Sequence, residues 1–136
     1  MTEQPRVVAA TWLCRRGDAI LAVRPHGAHV FFLPGGVPEP GETLAQAAAR
    51  EVAEEVGMRV EADQLTEAVR VETEAHGRPG WTVELVCFTG PGAGEPVADG
   101  REIVEIAWLP PQEGHRFAPA VRLALQALDP SAAAFD

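Results

Sequence analysis

The chain has 136 residues, about the length of one domain, so a single domain over 1–136 is expected. With 46% hydrophobic and 23% charged residues it has the composition of a folded globular protein. A net charge of −9, from 20 acidic against 11 basic residues, argues against a nucleic acid or a membrane as partner. Phosphate substrates stay open, because bound divalent cations can supply positive charge. Every base is an arginine and the sequence holds no Lys, Asn or Tyr, which excludes mechanisms built on those side chains. Ser131 is its one serine. Cys14 and Cys87 match no zinc spacing and read as free thiols of a reducing compartment. The opening residues carry no basic leader pattern, and the apolar run Val7–Leu13 is too short to span a bilayer, so a cytoplasmic location is expected.

In chain order, Val7–Cys14 and Ala19–Val23 are apolar, β-branched runs flanking the Arg15-Arg16-Gly17-Asp18 turn cluster, and residues 7–24 read as a β-hairpin. Val30–Leu33 reads as a short strand stopped by Pro34-Gly35-Gly36, and Gly36–Gly41 as a loop. Thr43 with Gln46 fits a capping box, Ala45, Ala49, Val52 and Val56 form an apolar stripe, and Gly57 suits a helix stop. Leu65–Glu72 and Trp81–Thr89 read as strands around a turn containing His76. After the Gly/Pro-rich loop 90–100 come a strand over Ile103–Leu109 and an amphipathic helix over Phe117–Leu128. The tail from about Pro130 is expected to fray. Strands, helix, strands, helix without repeats or linkers give a mixed α/β fold with one central sheet.

The helix carries the chemistry. Glu51, Glu54 and Glu55 stand at i, i+3 and i+4, on a face placed opposite the apolar stripe. Like charges so spaced destabilise a helix, and Arg50 can offset only part of the repulsion. A hard cation such as Mg²⁺ or Mn²⁺ would balance the rest through carboxylate oxygens. On these three residues alone a plainly solvated acidic surface is the more ordinary reading.

The wider register carries more. Gly36, five residues, Glu42, seven residues, then Arg50-Glu51-Val52-Ala53-Glu54-Glu55-Val56-Gly57-Met58 resembles the signature of the Nudix hydrolases at every fixed position, over 36–58. The resemblance implies an α/β/α sandwich with a central mixed β-sheet. It further implies a Mg²⁺- or Mn²⁺-dependent cleavage, by water, of the diphosphate in a nucleoside diphosphate linked to another moiety. Carried over by position, it makes Glu54 and Glu55 metal ligands, Glu51 a ligand or the base, the Gly35 carbonyl a further ligand, and Arg50 the residue that orients the carboxylates. Glu42 is either a loop anchor or an exposed charge at the helix start. A last carboxylate is implied outside the signature, for which Glu102 is selected over Glu105 and Glu95. The general base is Glu51 or Glu102.

Arg24 and Arg70 are candidate phosphate contacts. Trp12, Phe31, Phe32, Trp81 and Phe88 are either core residues or walls for a base, with Phe32 assigned to substrate. His26, His29, His76 and His115 form no metal spacing. The motifs typical of family members acting on dinucleoside polyphosphates, NADH, coenzyme A and ADP-ribose are missing. That leaves a MutT-like hydrolase of (deoxy)nucleoside triphosphates as the first expectation. The Asn with which MutT reads an oxidised purine has no counterpart here. ADP-ribose or nucleotide-sugar hydrolysis, and a non-catalytic nucleotide-binding module, are the alternatives; whether the chain is a monomer or a homodimer stays open.

Overall fold

The computed structural model describes residues 5–75 and 77–128. The expectations for His76, Ser131 and the tail from Pro130 lie outside them. Among the described residues, nine strands, two α-helices and two 3₁₀ turns follow one another. They are β1 (Arg6–Trp12), β2 (Arg15–Arg16), β3 (Ala19–Pro25), β4 (Gly35–Gly36), α1 (Leu44–Val56), β5 (Arg59–Val60), β6 (Thr66–Glu74), β7 (Thr82–Thr89), β8 (Gly92–Ala93), β9 (Ile103–Leu109) and α2 (Pro119–Leu128), with the turns at Ala62–Gln64 and Pro111–Arg116.

The ladders form a mixed four-stranded sheet in the order β4-β1-β7-β6, an antiparallel three-stranded sheet β2-β3-β9 and a small β5-β8 ribbon. Within the first sheet β1 runs parallel to β7, pairing Val7 with Val83 and Trp12 with Phe88. The period of two along each strand sends alternate residues to opposite faces. Ala10 and Trp12 of β1, Leu21 and Val23 of β3, and Val86 and Phe88 of β7 pack toward Ala47, Ala48, Val52 and Val56 of α1. Ile20, Ala22, Leu85 and Cys87 pack instead with Val121 and Leu125 of α2. Helices thus cover both faces, and the α/β/α sandwich with a mixed sheet is the observed architecture. No helix among the described residues is long and apolar enough to cross a membrane.

Several local expectations are corrected. The strands of the 7–24 hairpin form, but β1 and β3 do not pair. Both edges of β1 are occupied, by β4 and β7, and the chain passes from one sheet to the other at Leu13 and Cys14. There Leu13 N–H donates to the Phe88 carbonyl (2.8 Å), whereas the Cys14 carbonyl accepts from Leu21 N–H (2.9 Å). The turn instead closes the short β2–β3 pair. The Val30–Leu33 strand reduces to single bridges, Phe32 to Val23 and Phe31 to Phe117, because the two residues bond to different neighbours and Pro34 cannot donate onward. The expected stop at Gly35-Gly36 is itself a strand against β1. α2 begins at Pro119, not Phe117: the residue before a proline is held extended, and proline suits the first helical position.

α1 keeps its predicted ends. The Thr43 hydroxyl accepts from Gln46 N–H (3.1 Å), the Gln46 side chain accepts from Thr43 N–H (2.9 Å), and Gly57 closes the helix at φ 70°. Its buried stripe is Ala47, Ala48, Val52, Glu55 and Val56, with Ala45 and Ala49 only half-buried. The acidic face is therefore not opposite the apolar one; Glu55 belongs to both. Removal of the cap by Thr43→Ala is expected to lower unfolding free energy by about 1 kcal/mol, measured by urea denaturation, with the native fold retained.

Candidate active site

Three carboxylates meet where α1 passes the β4 strand. One turn of helix separates Glu51 from Glu55, so both reach the same side, and oxygens of Glu51, Glu55 and Glu102 all lie within 4.8 Å of one another. The paired glycines make this approach sterically feasible. A Cβ on Gly35 would sit 2.2 Å from the Ala10 carbonyl oxygen, and one on Gly36 would sit 2.5 Å from the Glu51 carboxyl carbon. Gly35 N–H donates to Glu55 Oε1 (3.1 Å); it is this amide that the structure ties to the cluster.

Glu55 is 93% buried, since its relative exposure is 7%. Burial, with the nearby Glu51 and Glu102 charges adding to it, pushes its carboxyl up to about 8 from an ordinary 4.5, against the opposing hydrogen bond from Gly35. Three acids crowded beside a core face, one of them held neutral for lack of a counter-charge, form an oxygen-only donor set that suits a hard divalent cation.

Arg50 organises the flank of this cluster. Its Nε and Nη2 grip Glu42 at 2.7 and 3.0 Å, its Nη1 donates to Glu51 at 2.8 Å and to Glu54 at 3.3 Å, and Nη2 reaches the Val37 carbonyl (3.3 Å). Glu42 also accepts from Glu39 N–H (2.9 Å), so it anchors the 36–42 loop to the helix. The Arg50 guanidinium holds the Glu42 carboxyl down at about 2. Glu54 points to the outer side, with its side chain 54% exposed, and is not part of the three-acid cluster.

Glu102 comes from the loop before β9, held in place by Asp99, a residue the sequence reading passed over. The Asp99 carboxylate accepts from Arg101 N–H (3.0 Å) and Ile103 N–H (2.8 Å), while Asp99 N–H donates to the Glu55 carbonyl (3.1 Å). The Glu102 carbonyl accepts from His26 N–H (2.7 Å), fastening the same turn to the end of β3. These amides hold the Asp99 carboxyl below its usual range. The Asp99-Gly100-Arg101 run is a turn-forming pattern that could have flagged it.

From the acids a cleft of about 300 Å³ extends between the two sheets, with Gly35, Gly36 and Glu55 at its edge and Val23, Phe32, Leu85 and Val121 among its walls. Phe32 therefore faces the cleft. Arg24 does not: it bonds Glu105 (2.8 Å) and the Ala28 carbonyl (3.2 Å) in a separate groove with Arg116. Arg70, on β6, pairs with Glu67 (2.8 Å) and Glu84, and Glu95 pairs with Arg16 (3.2 Å). Of the aromatics, Trp12, Phe31 and Phe88 are core. Arg78 lines the cleft and carried no expectation from sequence.

The raised Glu55 carboxyl sets a sign for pH dependence. Unfolded, this acid ionises near 4.5; folded, it keeps its proton to about 8. Metal-free protein should therefore lose stability as pH rises through that window, complete above about 8. Melting temperatures from pH 4.5 to 9 are expected to fall less steeply for Glu55→Gln. Added Mg²⁺ is expected to raise the melting temperature of the unsubstituted protein most at the alkaline end.

The chain matches the model of the NUDIX domain over residues 4–128. It is 37% identical over 126 residues to a MutT-like protein of Streptomyces ambofaciens, covering 90% of this chain and 77% of that one. It is 32% identical over 132 residues to the human 8-oxo-dGDP phosphatase NUDT18, covering 88% of this chain but 38% of the longer human protein. Its fold superposes on the solution structure of the E. coli ORF135 protein with a TM-score of 0.73 at 27% identity, over 96% and 94% of the two chains. With the family model matched across almost the whole chain, this protein belongs to the Nudix hydrolase family.

Proposed function

We propose that this protein is a Mg²⁺-dependent pyrophosphohydrolase that opens the diphosphate of a nucleoside diphosphate linked to another moiety. Its preferred substrates are (deoxy)nucleoside triphosphates, cleaved to the monophosphate and pyrophosphate, and its setting is the cytoplasm. The carrying observation is the convergence of Glu51, Glu55 and Glu102 at the Gly35–Gly36 end of an apolar cleft. Acids alone would repel a polyphosphate, so the cluster is useful to such a substrate only with cations between them. Glu51, Glu55 and Glu102 hold Mg²⁺ or Mn²⁺, with Glu54 and the Gly35 carbonyl as further ligands. When bound, such cations neutralise the diphosphate and acidify water.

The remaining steps belong to the chain. Arg50 fixes the orientation of Glu51 through one oxygen, leaving the other for ligation, and touches both oxygens of Glu54. Either Glu51 or Glu102 takes the proton of the attacking water. The apolar walls, including Phe32, hold the nucleoside and keep bulk water from the reacting phosphate. The human relative's activity on 8-oxo-dGDP brings oxidised guanine nucleotides into the substrate panel.

The test is phosphate and pyrophosphate release with Mg²⁺ from dNTPs, 8-oxo-dGTP, 8-oxo-dGDP, ADP-ribose and nucleotide sugars. Glu51→Gln, Glu54→Gln and Glu102→Gln are each expected to lower kcat about 10²- to 10⁴-fold with the fold intact. A purified protein that turns over nothing on the panel, and whose substituted forms bind nucleotides as well as the original, would establish a binding module instead. Chelation of the metal should abolish turnover, and Mn²⁺ should restore it.

A further inference from the structure

β6 is the outer strand of the four-stranded sheet, bonded to β7 on one side and, among the described residues, to no strand on the other. At nine residues it is longer than most strands, and it carries neither Pro nor Lys, the usual guards of a free edge. Its pairing with β7 determines which residues face that edge. Ala75 N–H donates to the carbonyl of Trp81 opposite it, and the register runs without a shift from Val69 to Glu74. Antiparallel ladders alternate, so Val69, Val71 and Thr73 turn their N–H and C=O groups toward β7, while Arg70, Glu72 and Glu74 turn theirs outward.

The side chains alternate as well. Val69 and Val71 lie on the α2 side with Val121 and Leu125, and both are only half-buried. Arg70 and Glu72 lie on the other face of the sheet. Arg70 pairs with Glu67 and Glu84, and Glu72 with Arg6, yet their side chains remain 45% and 49% exposed. This edge offers unused main-chain groups, half-covered valines on one face and an unlike pair of charges on the other. A matching strand would complete all three.

We propose that this edge is a self-association surface, on which a second copy of the chain pairs β6 with β6, antiparallel, about a two-fold axis through Val71. The two sheets then form one continuous sheet, and the pairing is independent of the activity proposed above. Residue identities select the register. Outward groups must meet outward groups, so the axis passes through a residue and not between two. Through Arg70 or Glu72 it would set like charges face to face, and through Thr73 it would set Glu72 against Glu74. Through Val69 it would leave Arg70 opposite Ala68 and Glu72 opposite Thr66. Through Val71, Arg70 of each copy stands opposite Glu72 of the other, at positions that exchange both main-chain bonds. Val71 then meets its own counterpart at the closer, non-bonded spacing, flanked by Val69 against Thr73. The register shift between Glu67 and Val69 ends the match on one side. A two-fold contact uses up both β6 edges, and the other edge of the sheet, β4, has only two residues, so the assembly closes at two copies.

The experiment measures molar mass by light scattering and sedimentation over a concentration series. The unsubstituted protein is expected to pass from 14.5 kDa to twice that mass as concentration rises. Arg70→Glu sets acid opposite acid and Glu72→Arg sets arginine opposite arginine, so each alone is expected to weaken the dimer about ten- to a hundredfold. The double reversal Arg70→Glu/Glu72→Arg brings unlike charges back together and should restore the dimer. An equimolar mixture of the two single variants should form a heterodimer, because one copy then offers acids where the other offers arginines. In the unsubstituted protein, amide exchange at Arg70 and Glu72 should slow with rising concentration, while Val71, already bonded to β7, responds little. A monomer at every concentration, a dimer indifferent to both single reversals, or no heterodimer from the folded single variants each overturns the assignment of β6. Should a reversal prevent folding, exchange at Arg70 and Glu72 that does not change with concentration overturns it without any variant.

Discussion

The carboxyl of Glu55 is buried against the α1 face that packs on the sheet, one turn from Glu51 and beside Glu102, hydrogen-bonded by the Gly35 amide and by the Glu51 carboxyl. Such a placement costs stability in any protein that has no cation to put there. Much of the surrounding architecture serves to hold this arrangement. Gly35 and Gly36 have no side chains because Ala10 and Glu51 occupy that space. Asp99 ties the loop bearing Glu102 to the end of α1, and Arg50 locks Glu42, Glu51 and Glu54 around one guanidinium.

The division of labour between the two flanks of α1 follows from that constraint. Val52 and Val56, fully buried, fix the helix to the sheet, each burial contributing on the order of 2 kcal/mol. Arg50 and Glu54 remain on the outer side, where solvent screens their charges. The helix is thus rigid on its core side and polar on the other, and the acids lie at the border. The cleft continues the pattern, apolar along most of its walls, with the acids at one end and Arg78 at the other.

Sequence and structure agree best where local chemistry decides. Thr43, Gln46 and Gly57 set the ends of α1 through bonds within a few residues, and the structure keeps both. Ile103–Leu109 forms a strand over the expected span, ended at the Pro110-Pro111 pair. Agreement weakens where a partner distant in sequence decides. The 7–24 hairpin reading failed because β4 and β7, the latter some 75 residues onward, occupy both edges of β1. Ala45 and Ala49 looked like core, yet the rotation of α1 is set by the sheet and by Gly36, and turns Glu55 inward instead.

The sequence by itself determined the family, the α/β class and the residues of the acidic helix, since a fixed spacing of Gly, Glu and Arg is a one-dimensional property. Which carboxylates share a space was decided only by the tertiary structure. Glu51 and Glu55 meet Glu102 from 51 and 47 residues away in the chain because β9 returns beside β3, while Glu54, one position from Glu55, is carried round the helix to the outside. Covalent neighbours fix conformation over a few residues. Contacts between distant segments follow from how the sheets and helices bury their faces, and that is a property of the folded whole.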